Sequence, residues 1–373
     1  MRRLAAIVIA ITCTVGCTRH DEATTELRIG AILSLTGPQA EFGKRMQRGI
    51  QMAVEDLNQA QGGRKIRLSV EDSQTSPQAG LNAFTKLADI DNVDVVLGNG
   101  SFLSKAVAPT AEQQKRLFVA IGTSIPDLPS HYSYVARVSY TADATTPALA
   151  QVVAKECRRV SLMVVDDEYG RVVAGIFKKA FQSDGGEIVT EQSFPLSVTD
   201  ASTLTEKALS GEPTGIVIAG YGPNLLPLIA RIRALRPQIR IYTDVALADP
   251  DVYRNPSKGV DGVVTVALPL DGGITTTERQ AQFFEKYKHQ TGGETPDMWT
   301  ALAYDAVFAI AKSAAASANG RPVKAGFVAL GDFEGVSGQI HFTKDADSVI
   351  KMQVYRIEGS RLNPVTDAGK VHE

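Results

Sequence analysis

From Leu27 onward the chain alternates two kinds of segment, and this alternation restricts the fold more than any other feature of the sequence. Short apolar runs rich in β-branched residues stand at Leu27–Leu33, Ile66–Val70, Val93–Leu97, Leu117–Ile121, Val160–Val165, Gly215–Ala219 and Ile239–Tyr242. Their length and composition predict buried parallel strands. Between them lie longer stretches with helical periodicity. In the first, Phe42, Met46, Ile50, Ala53, Val54 and Leu57 recur at three- and four-residue steps, with Lys44, Arg45, Arg48, Glu55 and Asp56 mostly on the other side. One apolar stripe of that kind faces a sheet. Further helices are predicted over 77–90, 101–115, 144–156, 169–183, 201–210, 224–235, 276–290 and 297–318, the last entered through Thr295-Pro296. Strand–helix–strand repetition gives an α/β protein with mainly parallel sheets flanked by helices. The units are too many for one compact sheet, so two lobes are expected. Near the end, Phe333–Phe342 and Val349–Ile357 read as closing strands added to existing sheets, separated by a turn at Lys344-Asp345-Ala346-Asp347.

Composition narrows the function. Residues of the AVILMFWYC set make up 44% and charged residues 21%, which excludes a disordered chain. The net charge of −2, from 39 basic and 41 acidic residues, supplies no field for nucleic acid. Three cysteines cannot staple a chain of 373 residues. The first segment reads as an address. Arg2 and Arg3 precede an apolar run, Leu4 to Val15, too short to span a bilayer, so residues 1–16 are expected to be a signal peptide. Gly16-Cys17 resembles a bacterial lipoprotein processing site, although Thr14 stands where Leu is more usual. Cys17 would then carry the lipid, residues 17–26 would form the lipidated N-terminus and tether, and the protein would be extracytoplasmic and held at a membrane. Cys157 would remain as a lone thiol, expected to be packed away, since no motif pairs it with a His.

All seven expected strands end in small residues, hydroxyls or carboxylates: Ser34-Leu35-Thr36-Gly37, Glu71-Asp72-Ser73, Gly98-Asn99-Gly100-Ser101, Gly122-Thr123-Ser124, Asp166-Asp167-Glu168-Tyr169, Gly220-Tyr221-Gly222 and Thr243-Asp244. Ligands of doubly wound sheets sit outside the carboxyl ends of the strands. Enzyme signatures are sparse. Gly98-Asn99-Gly100 lacks the third glycine of a dinucleotide fingerprint, there is no phosphate loop and no nucleophile elbow, and the five histidines are scattered. Asp166-Asp167-Glu168 reads as a solvated strand-end loop before a cation site, and the series Arg231, Arg233, Arg236, Arg240 as an exposed helix end before a docking surface.

The run Ile29-Gly30-Ala31-Ile32-Leu33-Ser34-Leu35-Thr36-Gly37-Pro38 resembles the opening of type I periplasmic solute-binding proteins, within them the leucine/isoleucine/valine-binding branch of ABC importers. So do Gly49 with Ala53-Val54-Glu55-Asp56-Leu57-Asn58, Gly62-Gly63-Arg64-Lys65-Ile66, Val70-Glu71-Asp72-Ser73-Gln74, Asp167-Glu168-Tyr169-Gly170 and Gly335-Val336-Ser337-Gly338. The resemblance implies two lobes on a three-segment hinge. The N-lobe would comprise 27–140 and 272–332, the C-lobe 141–271 and 333–365, with 366–373 a tail. It implies a small amino acid, branched-chain or otherwise apolar, trapped between the lobes and passed to a membrane permease with its ATPase. No cofactor, metal or catalysis is implied, and a monomer is expected.

Residue by residue, the resemblance puts Ser101 at the carboxylate-binding serine and Ser124 at a ligand-contacting threonine. Gly122 and Thr123 would offer backbone groups, Phe42 would flank the pocket, and Tyr169 and Tyr221 match two tyrosines of the second lobe. The family's ammonium-pairing acid falls on Val245 when counted without gaps. Asp244, one residue earlier, takes the role if the loop shifts by one; otherwise the ligand lacks an amino group. The alternatives are a ligand sensor serving a receptor or regulator, or a binder of a small carboxylate or amide that is not an amino acid.

Overall fold

A computed structural model describes residues 26–60, 63–198, 200–255, 259–270, 277–317 and 320–365. The expected signal peptide, Cys17, most of the tether and the tail lie outside them. The first sheet has five parallel strands in the order β2-β1-β3-β4-β5: β1 Glu26–Leu33, β2 Lys65–Asp72, β3 Val95–Asn99, β4 Phe118–Ile121 and β5 Val135–Val138. The helices between them are α1 Ala40–Gln59, α2 Pro77–Thr85 and α3 Ser101–Gln114. The chain then enters a second unit: α4 Ala142–Glu156, β6 Arg159–Val165, α5 Glu168–Ser183, β7 Glu187–Phe194, α6 Ser202–Leu209, β8 Gly215–Ala219, α7 Leu226–Leu235, β9 Arg240–Thr243, the single turn α8 Pro250–Tyr253, and β10 Val264–Ala267. It returns through α9 Glu278–Thr291, α10 Met298–Ala315 and α11 Lys324–Leu330. It ends in β11 Asp332–Gly335, β12 Gly338–Phe342, β13 Ser348–Ile350, β14 Gln353–Glu358 and β15 Arg361–Pro364.

The second sheet is ordered β15-β14-β10-β9-β8-β6-β7, antiparallel only where β14 joins β10 and β15. The chain passes between the units three times: after β5, after β10 and after β13. Two of these passages are tied together, because the Ser139 amide donates to Ser348 Oγ at 2.8 Å and that hydroxyl donates to the Ser139 carbonyl at 2.7 Å. The result is a two-lobed α/β fold.

Strands β3, β4 and β8 are buried along their whole length, which is why they read as unbroken apolar runs. Helix α1 buries Gly43, Met46, Gly49, Ile50, Met52 and Ala53. At Gly49 the approach of α10 leaves no room: a Cβ would stand 2.2 Å from the Thr300 carbonyl oxygen. Alanine there would gain ~1 kcal/mol of helix propensity, but forcing two backbones apart costs up to ~3 kcal/mol. Gly49→Ala is therefore expected to lower stability by about 2 kcal/mol net in urea unfolding. Unchanged stability would show that the helix contact is looser than described.

The closing strands differ in part from expectation. The run expected over Phe333–Phe342 is a hairpin, β11–β12, that pairs with β13 in a separate three-stranded antiparallel sheet instead of extending either large one. Its turn is held from α10: Asp305, fully buried, accepts from the Val336 and Ser337 amides and the Ser337 hydroxyl. Its other end rests on β5 through the Arg137 amide and the Ala346 carbonyl. Within 333–365, then, only β14 and β15 pair with the second sheet. Residue 346 turns at φ +56°, within the expected turn.

Candidate functional site

The carboxyl ends of β3 and β4 in the first lobe and of β8 and β9 in the second converge on one pocket. It is lined by Phe42, Tyr140 and Trp299 with Ser101 and Gly122 on one side, and by Tyr169, Gly220, Tyr221, Val245 and Ala246 on the other. With the lobes closed, its free space is only about 20 Å³. The lobes are closed over it, with Asn224 Nδ2 donating to the Pro38 carbonyl at 3.2 Å and Lys105 Nζ 2.8 Å from Glu168 Oε2.

The first lobe contributes a hydroxyl cluster. Ser101 is the first residue of α3, where unsatisfied amides and the helix dipole favour an anion. Its Oγ accepts from the Ser124 amide at 3.3 Å and lies 3.4 Å from Thr123 Oγ1. Ser124 Oγ is buried and has no hydrogen-bond partner among the described residues. Gly122 bends this loop at φ +56°, and a Cβ there would meet Met46 Cε at 2.6 Å.

The second lobe contributes a buried acid. Asp244 is 1% exposed; its Oδ2 accepts from the Tyr169 hydroxyl at 3.4 Å, and its Oδ1 has no partner among the described residues. Burial pushes its carboxyl up to about 7, against the hydroxyls of Tyr169 and Thr145 and the Val245 amide, which favour the charged form. Burial, with the Asp244 charge second, pushes the Tyr169 and Tyr140 hydroxyls well up. Tyr221 donates to Asp167 Oδ2 at 2.6 Å, and Asp167 also caps α5 through the Gly170 amide.

Aromatic rings join the two sides. Phe42 meets Tyr221 across the cleft at 5.8 Å and Trp299 at 5.6 Å. Tyr140 lies 5.8 Å from Trp299, and Tyr169 lies 5.2 Å from Tyr221.

Of the residues singled out in the sequence, Phe42, Ser101, Gly122, Tyr169 and Tyr221 line this pocket. Thr123 and Ser124 adjoin it through Ser101, and Asp244 through Tyr169. Tyr140, Trp299, Val245, Ala246 and Gly220 complete the lining. Trp299 is the only tryptophan in the chain, and that rarity was its one available signal. Gln39, 3% exposed and set against the pocket-lining Tyr221 hydroxyl, was marked by nothing. Cys157 is buried away from the site, its Sγ 3.3 Å from the Tyr242 hydroxyl and 3.4 Å from the Thr214 carbonyl. Asp166 is exposed and pairs with Arg171, and the described residues hold no His, Cys, Asp and Glu cluster fit for a metal. No described helix is long and apolar enough to cross a membrane.

Two lobes between which the chain passes three times, with a polar and aromatic pocket between the strand ends, define the class of proteins that enclose a solute by closing over it. The chain belongs to the periplasmic binding protein family, whose model matches residues 26–361. It is 28% identical over 248 residues to the Leu/Ile/Val-binding protein BraC3 of Rhizobium johnstonii, covering 65% of this chain and 67% of that one. A leucine-binding protein, LivK, of Thermotoga maritima shares the fold with a TM-score of 0.82 at 23% identity, over 91% of this chain and 97% of the other. A solute-binding protein of an ABC transporter from Rhodopseudomonas palustris, solved with 3,4-dihydroxybenzoic acid, aligns with a TM-score of 0.82 at 20% identity, over 94% and 98% of the two chains.

Proposed function

We propose that this protein is the extracytoplasmic receptor of an ABC importer, that it captures a small apolar amino acid between its lobes, and that it hands the solute unchanged to a membrane permease. The observation that carries the reading is the pairing of two unlike polar poles across one aromatic-walled pocket. Hydroxyls and free amides at the start of α3 suit a carboxylate. On the other lobe, behind the lining Tyr169, Asp244 with an oxygen unpartnered among the described residues suits an ammonium. Phe42, Tyr140 and Trp299 form the apolar wall for the side chain. Family membership and the Leu/Ile/Val-binding relative support the same ligand class. The lobe division, monomeric state and a lipid on Cys17 belong to this proposal.

A second reading, an aromatic carboxylate, draws on the five rings around the pocket and on the neighbour solved with dihydroxybenzoic acid. Calorimetric titration separates the two. Leucine, isoleucine or valine is expected to bind at least tenfold more tightly than benzoate. The reverse order would move the assignment to the second reading, and heats absent for both classes would remove the carboxylate site altogether.

A further inference from the structure

A buried ion triad crosses the cleft outside the pocket. Arg45, on α1 of the first lobe, places Nη2 3.1 Å from Asp249 Oδ2 of the second lobe and Nη1 3.4 Å from Asp297 Oδ2 of its own. The side chains are 17%, 5% and 1% exposed. Asp297 is rigidly held, because its other oxygen accepts from the Thr300 amide at 2.8 Å and the Thr300 hydroxyl at 2.7 Å. It therefore keeps Arg45 aimed at the cleft whether or not the second lobe is near. Asp249 is fixed by the start of α8, its carbonyl accepting from the Val252 and Tyr253 amides. A further contact lies alongside: Arg254 Nη1 donates to Thr295 Oγ1 at 2.5 Å. None of Arg45, Asp249 and Asp297 lines the pocket.

We infer that Arg45 and Asp249 are a latch that holds the lobes shut on whatever solute the pocket accepts, setting how long it is retained and not which solute is chosen. This rests on the capture reading above. Opening the cleft separates Asp249 from Arg45 but leaves Arg45 with Asp297, so the cross-lobe pair belongs to the closed state alone. A second ion pair that crosses the cleft among the described residues, Lys105 with Glu168, has a lysine 64% exposed and is screened by solvent. The Arg45 pair is largely shielded, so losing one partner weakens the closed state more than losing one partner of a solvent-exposed pair does. The consequences are unequal. Without Asp249, Arg45 keeps one carboxylate. Without Arg45, closure brings two carboxylates together and lacks the cation that pairs with both.

The test measures L-leucine and benzoate binding by calorimetry, with release followed through Trp299 emission. Asp249→Asn is expected to weaken every solute that the wild type binds by the same factor, about tenfold, through faster release. Arg45→Gln should weaken binding by about a hundredfold, and Arg45→Gln/Asp249→Asn should weaken it less than the product of the two single losses. Lys105→Ala should cost less than about threefold. Wild-type affinity and release in Asp249→Asn, or loss confined to one solute, overturns the latch. If the wild type binds neither probe, the capture reading fails instead, and scattering from ligand-free protein still decides the latch. It requires a larger radius of gyration for Asp249→Asn, or for Asp249→Ser if that variant folds better, than for wild type. Equal radii overturn it.

Discussion

Asp244→Asn abolishes most of the affinity for apolar amino acids: a loss of at least a hundredfold, ~2.8 kcal/mol, is expected in calorimetry. The asparagine preserves shape and removes the charge that would pair with a buried ammonium. Binding of a carboxylate without an amine should change little, because the hydroxyl cluster lies on the other lobe. A small effect on leucine would leave the ammonium without this partner and favour the second reading. The same residue gives a pH dependence with a definite sign. Its carboxyl is raised from an ordinary 3.8 to about 7 by burial. An ammonium ligand therefore displaces a proton below pH 7, and affinity should fall about tenfold per unit as pH drops through that range. Stability of the ligand-free protein runs the opposite way. Between the two values the folded chain holds a proton that the unfolded chain has released, so this residue's contribution is lost as pH rises toward 7 and above.

Asp347→Ala is expected to cost ~3–5 kcal/mol of stability and to lower the melting temperature by roughly 10 °C. Arg137 has no solvent exposure, and its charge is met by Asp347, with Nε donating to Oδ1 at 2.6 Å and Nη2 pairing with Oδ2. The remaining nitrogen donates to the Ile125 carbonyl, next to Ser124. Removing the carboxylate strands a cation in the core beside the joined passages at Ser139 and Ser348 and beside the pocket loop. Urea unfolding checks it, and a loss under ~1 kcal/mol would mean that water reaches Arg137 when Asp347 is gone.

Arg137 also shows where sequence reading runs out. Strand β5 was not foreseen because its centre is an arginine, and what makes that residue tolerable in a core strand is a carboxylate 210 positions away. Strand β7 was missed for a different reason. It lies at the sheet edge with Glu187 and Glu191 exposed, so it carries no apolar run. The runs at β3, β4 and β8 were legible because burial on both faces leaves only apolar residues to read. The helix expected over 77–90 is α2 followed by a wider-wound turn at Lys86–Ile90, a change of pitch that periodicity does not register.

In the site, residues at strand ends could be singled out because their types contrast with the apolar runs before them. Tyr140 and Trp299 offered no such contrast, since an aromatic at a helix or strand end reads as core. Asp244 was legible as a candidate, but its pairing with Tyr169 depends on how β9 ends against α5, which no local pattern encodes.

Capture by closure is the centre of this account, and small-angle scattering tests it most directly. With leucine, isoleucine or valine added to saturation, as judged by calorimetry on the same sample, the radius of gyration should fall and the curve should match that of the closed two-lobed structure. Saturated binding with an unchanged scattering curve would contradict it.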